Sequence, residues 1–109
     1  MVDGTIIAAD KLLRELLDLK SIKIYKIVFY GSHARSEASE ESDLDVLVVS
    51  EDFNDKDIFS RIDASAGIHR KLVERFLIPM DIMYFSLAEW NEEKSPIIHA
   101  AKQQGVSVQ

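Results

Sequence analysis

The stretch "YGSHARSEASEESDLDVLVVS" spans residues 30–50 and decides the fold. It ends in an unbroken apolar run, Val46 to Val49, that reads as a strand with both faces covered. Two aspartates, Asp43 and Asp45, lead into that run. Side chains alternate across a strand, so Asp43 and Asp45 share one face and Leu44 takes the other. At strand rise their Cα atoms lie roughly 6.5–7 Å apart, close enough for both carboxylates to reach one hard cation. Two like charges at the mouth of a buried strand are unfavourable unless something positive faces them. A divalent ion would serve; so would Arg35 or a lysine beside two solvated aspartates.

Upstream of the pair, Gly31 ends an earlier β-branched and aromatic run, "IYKIVFY" over 24–30. A glycine there can take positive φ and let the backbone approach a ligand. Ser32 adds a hydroxyl and an N–H at the start of a short polar segment, a natural place for phosphate. Residues 32–39 are too polar for a core element and read as a short helical turn. A third carboxylate, Asp81, lies inside another apolar run, "IPMDIMYF" over 78–85. Buried charges are paired or bind metals, so Asp81 either faces the first pair or sits at a wet strand edge.

The rest of the chain supplies helices. Residues 5–20 place Ile6, Ala9, Leu13, Leu16 and Leu17 on one helical face, with Asp3 or Thr5 as cap. Residues 56–76 read as a second amphipathic helix whose apolar face carries Ile58, Ile62, Ala66, Val73 and Phe76. A short helix is expected over 87–93. A last one runs from Pro96 to Gln104, capped by Ser95 and stopped by Gly105. "VSVQ" is a tail or a short edge strand. This order predicts an α/β (α+β) architecture: a small mixed sheet of three or four strands with helices packed on it.

The chain's 109 residues suit a single domain over 1–109. Its formal net charge of −6 argues against a nucleic-acid binder, and Lys20, Lys23 and Lys26 read as a solvated edge. With no cysteine, disulfides, thiolate metal sites and cysteine nucleophiles are all excluded. No signal-peptide pattern and no run of ~18 apolar residues is present, so the expectation is a cytoplasmic protein without a membrane partner. His69 and His99 fall on helices with no second ligand at useful spacing, and His33, like them, reads as structural or solvated. Tyr25, Tyr30, Tyr84 and Trp90 read as core or interface.

Gly31-Ser32, about ten residues, then Asp43-x-Asp45, with Asp81 further on, resembles the signature of the nucleotidyltransferase superfamily that includes DNA polymerase beta and kanamycin nucleotidyltransferase. Ala34 and Arg35 after Gly-Ser-x, and Ser42 before Asp43, are similar to its minimal nucleotidyltransferase (MNT) branch. That branch usually has glycine where this chain has Ser36. The resemblance implies a polymerase beta-like fold and nucleotidyl transfer. It implies two Mg²⁺ ions on Asp43, Asp45 and Asp81, with Asp81 aiding deprotonation of the acceptor. Gly31 and Ser32 would hold the β- and γ-phosphates of ATP, Ser42 would join the nucleotide site, and Arg35 would steady the phosphates or orient a carboxylate. It further implies a HEPN-domain ribonuclease toxin as partner, silenced by transfer of AMP to a tyrosine. Two alternatives stand beside this: a catalytically silent module that neutralises a partner by contact, and one chain of a two-component antibiotic nucleotidyltransferase. Nucleotide preference and homo- or hetero-oligomeric state are left open.

Overall fold

The computed structural model describes residues 4–31 and 43–108. Helix α1 (Gly4–Leu19) buries Ile6, Ala9, Leu13, Leu16 and Leu17, the face its spacing predicts. Thr5 lies inside the helix and is not its cap; Asp3 falls outside the described residues. Strand β1 (Lys26–Tyr30) then runs to Gly31. Strand β2 (Leu44–Ser50) follows, and Ser50 Oγ accepts from the Asp52 N–H to start a 3₁₀ turn, Glu51–Phe53. Helices α2 (Ile58–Ala64) and α3 (Ile68–Phe76), strand β3 (Met80–Ser86), α4 (Leu87–Glu92) and α5 (Pro96–Gln104) complete the order.

The sheet order is β1-β2-β3, with β2 central. Strand β1 pairs antiparallel to β2 and β3 parallel to it, so the sheet is mixed as expected. A parallel partner needs a crossover, and α2 and α3 provide it. The C-terminal "VSV" contributes a single bridge, in which Phe29 and Val106 exchange N–H···O bonds of 2.8 Å.

Period-two alternation sends the strand residues to two cores. Ile27, Phe29, Val46 and Val48 face α1 and α3, together with Leu13, Leu17 and Leu72. Val28, Leu47 and Val49 face Trp90, Ile98 and Ala101 of α4 and α5. Trp90 is thus core. Ser95 caps α5 and Pro96 opens it, as predicted. Gly105 is required for closeness rather than for φ, because a Cβ there would run into the Val28 side chain.

One expected element divides in two. The helix predicted over 56–76 breaks at Ser65–Gly67, where Ser65 Oγ donates back to the carbonyls of Arg61 and Ile62 and Gly67 takes φ +85°. Such back-bonding competes with the helix ladder. The apolar face read for that helix is also corrected. Ile58, Ile62 and Ala66 are exposed, while Arg61 and Ser65 are buried. The Arg61 guanidinium donates to the carbonyls of Phe53, Lys56 and Tyr84 and to Glu89, so it is this arginine that turns inward. No helix among the described residues is long and apolar enough to cross a membrane.

Candidate active site

The register brings three residues of one sheet end together. Asp45 stands opposite Tyr30 of β1 and opposite Asp81 of β3. Asp43, just before β2, has the parity of Asp45. One carboxylate oxygen from each of Asp43, Asp45 and Asp81 lies within 4.8 Å of the others. Asp43 and Asp81 are exposed and Asp45 is half-buried, so the cluster opens to solvent above a closed floor.

Gly31 forms part of that floor. Its φ is +97°, the left-handed region, and a Cβ there would sit 2.7 Å from Asp45 Oδ2. Only glycine fits both the turn and the carboxylate. The close approach that the structure shows at Gly31 is to Asp45.

Electrostatics follow from the crowding. Burial raises the Asp45 carboxyl above its ordinary value, and the charges of Asp43 and Asp81 raise it further. Tyr30 is pushed up to about 12, first by burial and then by Asp45, Asp81 and Asp43. Among the described residues no cationic side chain pairs with any of the three aspartates. The alternative that a lysine neutralises them is therefore not met there. Ser32, Arg35, Ser36 and Ser42 lie outside the described residues, so the nucleotide-binding half of the predicted set is not placed.

A divalent cation fits the trio that is placed. The donors are hard carboxylate oxygens, they converge, and mutual repulsion holds one of them in a state that a cation relieves.

Tyr30 is the residue that sequence reading missed, since it reads there as core or interface. Packed partly against the α4–α5 core, it turns its phenol toward the field of the aspartates. Its position before Gly31 is visible in the sequence. Its pairing with Asp45 is not, because the long connection between β1 and β2 leaves the register free. Of the histidines, His69 Nε2 donates to the Met80 carbonyl at 2.7 Å and His99 Nδ1 meets Glu93 at 3.0 Å, and neither belongs to the group of convergent ligands.

A mixed sheet covered by helices, with three carboxylates converging at one strand end, offers a donor set compatible with a divalent cation. Residues 9–103 match the nucleotidyltransferase domain family, and the chain belongs to that family. A candidate nucleotidyltransferase from Sulfolobus solfataricus has a similar structure, with TM-score 0.50 and 18% identity, covering 96% of this chain and 86% of its own. BolA1 from Arabidopsis thaliana is similar at TM-score 0.51 and 21% identity, covering 74% of this chain and 94% of its own. The BolA domain of SufE1 from the same plant gives TM-score 0.51 and 16% identity, covering 82% and 99%. At such identities these likenesses speak to the fold alone. No curated protein matches the chain.

Proposed function

We propose that this chain is a Mg²⁺-dependent nucleotidyltransferase acting as antitoxin to a HEPN-domain ribonuclease, moving AMP from ATP onto a tyrosine hydroxyl of that toxin. The observation that carries the transferase part is the convergence of Asp43, Asp45 and Asp81 within 4.8 Å, uncompensated by any described cation. Family membership supports the reaction class. The HEPN partner rests on the resemblance of the Gly31–Asp45 stretch to the minimal branch.

In the reaction, the acceptor hydroxyl oxygen forms a bond to the α-phosphorus as the bond from that phosphorus to the β-bridging oxygen breaks. Pyrophosphate leaves with the electron pair. Asp43, Asp45 and Asp81 would hold Mg²⁺, which supplies charge stabilisation at the phosphates and a more acidic acceptor hydroxyl. Asp81, the exposed member on β3, receives the hydroxyl proton. Gly31 keeps the β1 end low enough for the Asp45 carboxylate to point into the site. Tyr30 stays protonated at neutral pH and closes the floor beside Asp45.

The test is intact mass spectrometry of the neighbouring gene's product, incubated with this chain and MgATP. A gain of one or more AMP units, absent with Asp43→Asn plus Asp45→Asn, is the expected result. No gain, together with a stable complex on a sizing column, would replace transfer by neutralisation through contact.

A further inference from the structure

Helix α2 is turned with its polar side inward. Its buried side chain is Arg61, while Ile58, Phe59 and Ile62 are 69%, 78% and 55% exposed. Ile58 and Ile62 border a groove of about 270 Å³ whose other wall is β3, from Ile82 to Phe85. That is below the roughly 300–1,000 Å³ usual for small-molecule pockets, and suits one or two apolar anchors from a protein. Exposed apolar side chains grouped in this way mark interaction surfaces.

Two observations choose the occupant. First, the outer edge of β3 is closed to strand addition at both ends. His69 donates to the Met80 carbonyl and Arg61 to the Tyr84 carbonyl, so an added strand would find those acceptors taken. The groove therefore takes side chains from a helix rather than a strand. Second, the sequence around its helical wall is acidic. Asp55, Asp57 and Asp63 flank the apolar residues, Lys56 is the one exposed base over 55–63, and Arg61 is buried against Glu89. A second copy would bring the same acidic stretch, within a chain of net charge −6.

We infer that the outward face of α2 and its groove along β3 form a docking surface for a protein partner that presents an apolar helix face ringed by lysine or arginine. The groove lies on the strand that carries Asp81, two positions from Met83 in its wall. The inference rests on the proposed transferase reading only in explaining why a partner is held there, namely as the acceptor.

The test is an NMR titration of the ¹⁵N-labelled chain, without nucleotide or metal. The probes are two synthetic amphipathic helices with one leucine face and either lysines or glutamates around it. The lysine helix should shift the amides of Ile58, Phe59, Ile62 and Ile82 to Phe85, and bind at least roughly tenfold more tightly than the glutamate helix, with the gap closing in salt. Phe59→Ser and Ile62→Ser change exposed positions and should each weaken the lysine helix about tenfold with spectral dispersion intact. Asp45→Asn should leave this binding unchanged, and a wild-type chain that binds the lysine helix yet transfers no AMP counts against the transferase reading alone. Shifts confined to another face, equal binding of both helices, or a sedimenting dimer dissolved by Phe59→Ser would overturn the inference.

Discussion

Strand β3 passes two groups of charge that have been treated in opposite ways. At its start, Asp81 joins Asp43 and Asp45 with no cation among the described residues to balance them. Further along, Arg61 finds its partners within the fold: carbonyls from Phe53, Lys56 and Tyr84, the Glu89 carboxylate at 2.6 Å, and the face of Phe53 below it. A charge with every partner supplied internally belongs to the architecture. Charges left facing each other are a cost to the fold that a ligand can relieve. The Arg61 group should therefore answer to stability measurements, and the aspartate group to activity.

The largest effect expected is on catalysis. Asp45→Asn or Asp43→Asn should lower the transfer rate by roughly a thousandfold or more, the size of losing a metal's several kcal/mol of charge stabilisation. Circular dichroism should show an unchanged fold. Retained activity in either variant would break the comparison at its first limb.

Next is Arg61→Ala, the mirror experiment. It strips donors from three carbonyls and leaves Glu89 without its cation, held by the Ser86 N–H alone, at a cost of about 2–4 kcal/mol. For a chain of this size the melting temperature should fall by more than roughly 10 °C. Arg61→Lys should recover less than half, because one ammonium cannot reach acceptors spread around a planar fork. If Arg61→Ala melts like the wild type, the cluster is not structural.

Gly31→Ala touches both limbs. The new methyl meets Asp45 Oδ2 at 2.7 Å and the φ of +97° disfavours any side chain. Backbone strain of about 1–2 kcal/mol should appear in thermal melts. Displacing the carboxylate by even an ångström should cost up to ~10²-fold in rate. A loss of stability without a loss of rate would show that the glycine serves the turn alone.

The two groups were not equally legible beforehand. Asp43 and Asp45 are two residues apart on a strand, so parity alone places them together, and the apolar run after them marks β2 as central. Asp81 could be suspected because a carboxylate inside an apolar run has few bland explanations. Arg61 carries no such mark. Its acceptors come from residues 53, 56, 84 and 89, which meet only after the crossover has folded. The apolar spacing of Ile58 and Ile62 then argues for the wrong face, because hydrophobic periodicity cannot tell a buried stripe from a docking stripe. Tyr30 was hidden by register. The break at Ser65–Gly67 was hidden by a back-bonding serine inside an otherwise helical pattern.

The smallest effect is the pH dependence of stability, where the two groups should pull in opposite directions. Asp45 is raised above the ordinary 3.8 by burial and by its two neighbours. The unfolded chain then ionises first, so the fold loses stability as pH rises through 3.8 toward the folded value, and stays lower above it. Glu89 differs: burial pushes its carboxyl up, but the Ser86 N–H and Arg61 together bring it below the ordinary 4.5. Its stabilisation is complete above 4.5 and is lost as pH falls through the folded value. In the wild type the two partly cancel on the acid side. Asp45→Asn removes one of them, so its melting temperature at pH 7 should rise by roughly 2–4 °C, solvent screening holding the gain to about half a kcal/mol. Its decline between pH 5 and 3 should be steeper than the wild type's. Millimolar Mg²⁺ should raise the wild-type melting temperature at pH 7 and leave the variant's nearly unchanged. An Asp45→Asn protein that melts at or below the wild type would mean that the trio's repulsion is already relieved within the chain, and the contrast with Arg61 would disappear.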